Sequence, residues 1–294
     1  MQNRATDRFS SVAVLLAAFN GIKWIEEQIE SILSQKNVSI KIFLSVDVSN
    51  DGTYEWCSSL AMVDDRIEVL PYGEKFGGAA KNFFRLIRDV DFSDFNYVAL
   101  SDQDDVWFEN KIECAVKSIK QNNLDGYSSD IIAFWPSGRK KTVKKSFPQR
   151  SLDYLFESAG PGCTYVMRQK SIQRFKVFLT DNWSSANLVE LHDWMIYAYF
   201  RSQGMRWEID SKSLMYYRQH SNNQLGLNSG LSAYIDRFYK IKSKWYRNEV
   251  IKISSLVNQN FCLENRVLIS NFRYLRRRFR DRIILLLIII FRIF

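Results

Sequence analysis

Hydrophobic and polar positions switch repeatedly between two periods along the first part of the chain. A continuous apolar run, SVAVLLAAF (11–19), ends at Asn20-Gly21 and reads as a buried strand closed by a turn. Between residues 22 and 34 the apolar positions are Ile22, Ile25, Ile29, Ile32 and Leu33, the spacing of one helix face. A second strand (40–46) leads into Ser49-Asn50-Asp51-Gly52, turn chemistry that introduces a helix over 53–60. Short strands over 66–70 and 97–100, with a helix over 79–88 between them and another over 111–121, continue the alternation. Strand alternating with helix predicts a parallel, doubly wound α/β sheet, whose ligands sit beyond the carboxyl ends of the strands. Asn20, Asp47 and the acidic turn Asp102-Gln103-Asp104-Asp105 all fall at such ends.

Beyond residue 121 the regularity weakens. Residues 139–145 read as a basic, mobile loop, and Val166-Met167 as part of a strand after the turn Gly160-Pro161-Gly162. Residues 193–200 have helical character, and 213–217 form a strand before Arg218-Gln219-His220. From residue 231 the pattern is long, basic and helical. A boundary near Gly230 therefore divides a domain over 1–230 from a helical extension over 231–294.

Composition narrows the class. A chain of 294 residues that is 46% hydrophobic and 25% charged can bury a sizeable core and is not disordered as a whole. Four scattered cysteines, with no C-x-x-C pair, read as reduced cytosolic thiols rather than a disulfide framework or a zinc site. The polar opening MQNRATDRFSS has no apolar run behind a charged region, so no secretory leader is expected. The net charge of +9 is concentrated: residues 273–282 hold six arginines and one acid, and the next 12 residues are almost wholly apolar. An apolar run of that length falls short of the ~20 residues a spanning helix needs. Arginines on headgroups with Ile, Leu and Phe dipping beneath suit a helix lying on an anionic membrane surface, the alternative being a buried terminal helix. A cluster so local, joined to a greasy tail, is not the footprint of a nucleic-acid binder.

The acidic turn is the sharpest chemical feature. Carboxylates presented after a buried strand offer hard oxygen ligands at a fixed point, suited to Mn²⁺ or Mg²⁺ bound partly through substrate phosphates. A lone D-x-D is common on surfaces, and its place after an apolar strand gives this one weight. The chain's two histidines, His192 and His220, each sit in a distinctive cluster, ELHDW (190–194) and YRQHSNN (217–223). Asp193 is either a helix cap or a general base for a hydroxyl. His220, beside Arg218, is a candidate to ligate the metal or meet a diphosphate.

These segments resemble the bacterial family-two glycosyltransferases of the GT-A fold, in particular their rhamnosyltransferase-like branch. The matching stretches are VAVLLAAFNG (12–21), IEEQIESILSQ (25–35), SVDVSNDGT (45–53), GAAKNFFRLI (78–87), YVALSDQDDVWFENKI (97–112), HDWMIYAYF (192–200) and YRQHSNNQLG (217–226). Their order makes chance assembly not credible. The resemblance implies a Rossmann-like GT-A domain in which Ala17, Ala18, Phe19 and Asn20, with Glu27, Lys81, Gln103 and Arg218, meet the nucleotide sugar. It places Asp47 at the pyrimidine ring, Asp102 at the sugar or ribose, and Asp104 and His220 at the metal. Asp193 aligns with the catalytic base. Gly160, Gly162 and Cys163, with His192 and Trp194, align with the loop that shapes the donor-sugar and acceptor pocket.

One departure stands out. Relatives read S-D-D-G-S where this chain has Ser45-Val46-Asp47-Val48-Ser49. Asp47 survives, so base recognition is expected to persist, but β-branched Val48 excludes positive φ there and reshapes the loop. The expected activity is inverting, metal-dependent transfer of a sugar, best guessed as L-rhamnose from dTDP-L-rhamnose, with a UDP-hexose as the alternative donor. The expected acceptor is a lipid-linked oligosaccharide in O-antigen, capsule or related synthesis, reached by a peripheral enzyme on the cytoplasmic face of the bacterial inner membrane. A nucleotidyltransferase would want a glycine-rich, Lys/Arg-bearing phosphate loop, which residues 17–21 lack. An inactive glycan-binding scaffold would have lost Asp104 or Asp193, and both are present. The sequence gives no reading of oligomeric state.

Overall fold

The computed structural model describes residues 9–220, 244–257 and 261–294. Nine-residue strand β1 (Ser10–Ala18) lies between β2 (Val38–Val46) and β4 (Tyr97–Asp102), parallel to both, with β3 (Ile67–Val69) parallel at the far edge of β2. From Val12 to Ala18 β1 is covered on both faces and is wholly apolar, the mark of an inner strand in a two-sided sheet. Helices α1 (Ile25–Leu33), α2 (Thr53–Ala61) and α3 (Ala79–Asp89) make the crossovers. The turn into α2 is held by Asp51, whose carboxylate accepts the Thr53 N–H at 3.1 Å, while the Thr53 hydroxyl accepts the Gly21 N–H at 2.8 Å. That pair ties the end of β1 to the end of β2.

The second half departs from a purely parallel sheet. β6 (Gly126–Ser129) does not pair with β4; β9 (Val166–Arg168) runs antiparallel between them, and β10 (Trp207–Asp210) flanks β6 in parallel. The sheet is thus mixed, in the order β10-β6-β9-β4-β1-β2-β3. A smaller sheet, β5-β11-β7-β8, is made of β5 (Val106–Trp107), β7 (Ile131–Phe134), β8 (Lys140–Val143) and β11 (Met215–Arg218). The segment 139–145, expected to be a mobile loop, instead supplies β8, whose Lys140–Val143 backbone pairs with β7. Its lysines face solvent, so the strand carries no apolar signal to read.

Two apolar layers sandwich the large sheet. One lies under α1, α2 and α4 (Lys111–Gln121). The other joins α3, α5 (Gln169–Asp181), a short α6 (Trp183–Ala186) and α7 (His192–Ser202) with the C-terminal helices. Those are α8 (Trp245–Val257), α9 (Asn265–Leu275) and α10 (Phe279–Ile290), which insert Val250, Ile253, Leu268, Leu275, Leu285, Ile289 and the terminal Phe294 into the same core. Among the described residues no helix is long and apolar enough to cross a membrane. The boundary placed near Gly230, and residues 221–226 of the matched segment, lie outside the described residues.

The tail's arginines divide into two sets. Arg276 and Arg277 do not reach for headgroups. Arg277 pairs with Asp153 and Glu157 and donates to the Ser158 carbonyl, while Arg276 pairs with Glu157 and donates to the Phe156 carbonyl. Arg273, Arg278, Arg280 and Arg292 are exposed beside an exposed apolar face of Phe279, Ile284, Leu287, Ile290, Phe291 and Ile293.

Candidate active site

A cleft of ≈ 650 Å³ opens at the carboxyl ends of β1, β2 and β4 and is closed on its other side by 158–162 and the start of α7. Asp104 and Asp193 both line it. Separate faces for these two would have left no place for transfer chemistry; they share one.

The donor wall is built from strand ends. Ala17, Ala18, Phe19 and Asn20 line the cleft, as do Asp47, Asp102 and Gln103. Gln103 clamps the end of β1, accepting the Phe19 N–H and donating to its carbonyl, both at 2.8 Å. Asp47 is buried and its carboxylate is held by three backbone N–H groups: Val48 (2.8 Å), Phe76 (2.9 Å) and Gly77 (2.9 Å). It therefore organises the 76–77 loop as well as facing the cleft. Val48 keeps negative φ, as suits a β-branched residue, while Asn20 (45°) and Gly52 (89°) carry left-handed conformations.

The metal turn has a hard, convergent donor set. Asp104 Oδ2 and His220 Nε2 are 2.6 Å apart, and His220 is fixed by stacking on Trp24 at 4.2 Å between ring centroids. Burial, and then the neighbouring Asp104 carboxylate, push the Asp102 carboxyl up to about 7. Asp105 is raised as well, by burial and by both neighbours. Beneath them Lys111 is buried over the Trp107 ring at 3.6 Å, its pKa pushed down to about 7 by burial. Crowded carboxylates with an imidazole nitrogen in reach fit Mn²⁺ or Mg²⁺. Asp102, Asp105 and Cys163 also converge, but burial and those carboxylates hold the Cys163 thiol far above its usual range, so it stays a protonated donor and no ligand for a hard cation.

The opposite wall carries Asp193. Asp193 lies in the first turn of α7, not at its cap: the N-cap is Leu191, and the Asp193 carboxylate accepts the adjacent Trp194 N–H at 2.7 Å. Burial pushes its carboxyl up to about 6, against that amide, the Ser158 hydroxyl and the charge of Lys145. His192 stacks on Phe83 at 4.0 Å, and burial drives its pKa down to about 3, so the ring is neutral. Its Nε2 finds no hydrogen-bond partner among the described residues. Gly162 faces it closely: a Cβ there would stand 2.3 Å from that nitrogen.

Several expected site residues sit elsewhere. Lys81 points outward from α3 and does not line the cleft; Asn82 and Lys75 do. Glu27 and Arg218 are not in the lining either. They pair at 2.5 Å, and Arg218 also donates to the Asp104 carbonyl and stacks on Phe134, so both brace the metal turn from behind. Trp194 is buried and donates to the Tyr154 carbonyl, and Cys163 lies under the floor. Sequence reasoning missed Trp24, Ser158 and Lys145, which line the cleft.

A nucleotide-sized cleft with a hard-metal corner facing a raised-pKa carboxylate defines a GT-A glycosyltransferase site, and residues 13–180 match glycosyl transferase family 2, to which the chain belongs. The chain is 44% identical over 289 residues, 95% of its own length and 100% of the other's, to the dTDP-rhamnosyl transferase RfbG of Shigella flexneri. Among solved structures, S. aureus TarS 1–349 in complex with UDP superposes with TM-score 0.58 at 16% identity, covering 90% of this chain and 72% of that one. The mannosyltransferase PcManGT from Pyrobaculum calidifontis, in complex with GDP-Man and Mn²⁺, gives 0.55 at 15% identity, over 84% and 70%. At such identities these two establish likeness of fold.

Proposed function

We propose that this glycosyltransferase moves L-rhamnose from dTDP-L-rhamnose to a lipid-diphosphate-linked glycan during bacterial surface-polysaccharide assembly, with inversion at the anomeric carbon. One observation supports the chemistry: Asp104, His220 and Asp193 line a single cleft. The donor rests on the full-length likeness to a dTDP-rhamnosyl transferase.

An acceptor hydroxyl placed against Asp193 loses its proton to that carboxylate as its oxygen attacks the anomeric carbon. The bond from that carbon to the diphosphate oxygen breaks on the opposite face, which inverts the configuration. A carboxyl with a pKa near 6 is ionised at neutral pH yet more basic than a solvated aspartate, the balance a general base needs. Neutral His192 offers an unpartnered nitrogen to a sugar hydroxyl. Asp104 and His220, with Asp102, would hold Mn²⁺ or Mg²⁺, which when bound neutralises charge on the departing diphosphate. Gln103 and Asp47 keep the donor wall in shape.

The exposed face of α10, apolar at Phe279, Ile290 and Phe291 and rimmed by exposed arginines, supports peripheral attachment to the cytoplasmic face of the inner membrane. The test is a panel of nucleotide sugars scored for nucleotide release, with and without Mn²⁺. dTDP-rhamnose should lead, and release from UDP-hexoses alone would overturn the donor.

A further inference from the structure

The reaction as derived gives no task to Lys145, a charged group built into the wall of the cleft. Lys145 follows β8 and lines the cleft with Val143, Ser158, Gly160 and Asp193. Its place is built rather than incidental. Asp130, buried between β6 and β7, spends its carboxylate on this one bend, accepting the Lys145 N–H at 2.6 Å, the Ser146 N–H at 2.8 Å and the Ser146 hydroxyl at 3.0 Å. The lysine stem runs across Gly160, where a Cβ would lie 3.4 Å from Lys145 Cγ. Gly160 has φ 139°, a conformation that side-chain-bearing residues avoid, so the loop stays bare where the lysine passes. Among the described residues the ammonium has neither an ion pair nor a hydrogen bond. A partly buried cation that no carboxylate contacts directly is costly unless a ligand supplies a partner.

Position says which ligand. The donor diphosphate has its own corner at Asp104 and His220. The charged groups acting most strongly on Lys145 are Glu157, Arg277, Arg276 and Asp193, so the lysine belongs to the wall that carries the base. In a displacement with inversion the acceptor enters on that side, opposite the leaving group. Resting on the glycosyltransferase reading above, we propose that Lys145 is the anion-binding residue of the acceptor subsite, taking the phosphate or diphosphate ester through which the glycan acceptor is carried.

Binding tests this without requiring turnover. Two soluble probes sharing one sugar, an alkyl-diphosphate-linked N-acetylhexosamine and the neutral alkyl glycoside, are titrated into the full chain saturated with dTDP and Mn²⁺. A single charge-assisted contact predicts that the wild type prefers the diphosphate probe by about 10- to 100-fold. Lys145→Ala should remove that preference and Lys145→Arg should keep most of it, with dTDP affinity the same in all three and an unchanged melting temperature confirming the fold. Equal affinity of the wild type for both probes, or a preference that survives Lys145→Ala, overturns the proposal. So does an equal loss of dTDP affinity in Lys145→Ala, which would place the lysine on the donor. Failure of the glycosyltransferase reading shows separately, as absence of dTDP or UDP binding in the wild type.

Discussion

Replacing Asp193 by asparagine should inactivate the enzyme and stabilise it in the same stroke. Burial raises this carboxyl from 3.8 in the unfolded chain to about 6 in the fold. The folded state therefore favours the protonated acid. Its contribution to stability is complete below the unfolded value and is lost as pH rises through about 6. At pH 8 the native protein holds an ionised carboxylate in a poorly solvated place. A shift of about two units at ~1.36 kcal/mol per unit makes that penalty about 3 kcal/mol, an upper figure because one side of the group opens to the cleft. Asparagine has the same shape, can still accept the Trp194 N–H, and does not ionise. Melting curves of both proteins between pH 3.5 and 8 should show the variant several degrees more stable at pH 8, with the gap level above about 6 and closing as pH falls from there toward 3.8. The wild-type rate of transfer should rise with a midpoint near 6, while turnover of the variant falls by ~10²–10⁴-fold with dTDP binding retained. A gap that is independent of pH, or a variant less stable at pH 8, would refute the claim that the base is tuned by burial.

Four other expectations are sharp enough to measure. Asp104→Ala removes the partner of His220 and should abolish the Mn²⁺-dependent gain in dTDP affinity; an unchanged metal titration would count against this corner. Gly162→Ala drives a methyl group into His192, whose ring is backed by Phe83, and should cost about 1–3 kcal/mol in urea unfolding along with most of the activity. Arg277→Ala takes one cationic partner each from Asp153, which keeps Arg201, and Glu157, which keeps Arg276, and should cost about 1.5–3 kcal/mol, whereas Arg280→Ala should fall within about 0.5 kcal/mol of the wild type. Serine at Phe279, Ile290 and Phe291 together should release the protein from anionic vesicles without lowering its melting temperature; deleting α10 is the poorer test because Leu285 and Ile289 pack in the core.

The first half of the fold was legible because its signals are local. A buried strand needs only its own apolar residues to be read, and α4 fell on the residues its spacing predicts, Lys111–Gln121. The acidic turn, Asp193 and His220, which line the cleft, stood out for the same reason: each sits in a short cluster of its own. The small sheet was not. β8 is polar except for Val143 and exists because β7 lies beside it, so no period within residues 139–145 distinguishes a strand from a loop. Lys145 was hidden behind that misreading, since its role depends on Asp130 and Gly160, which lie fifteen residues away on either side. Glu27, Lys81, Arg218 and Trp194 failed differently. The family resemblance marked them as ligand contacts, and only packing shows that Lys81 points outward while the other three lie outside the lining of the cleft.

The arginine run carries the same argument to the C-terminus. Counted along the chain, six arginines before an apolar tail describe one basic membrane segment. In the fold, the guanidinium groups of Arg276 and Arg277 meet Asp153 and Glu157 and cap the carbonyls of Phe156 and Ser158, some 120 residues upstream. Ser158 adjoins Asp193, so the tail is bonded to the loop beside the proposed base. Charge alone could not divide the run, because what separates Arg277 from Arg280 is a partner supplied by a distant part of the sequence. One face of the tail is thus committed to the catalytic wall, and the arginines left exposed, Arg273, Arg278, Arg280 and Arg292, are those beside the apolar face. A membrane surface meeting that face, as proposed above, would lie against the same segment that fixes Glu157 and Ser158, one loop away from Asp193.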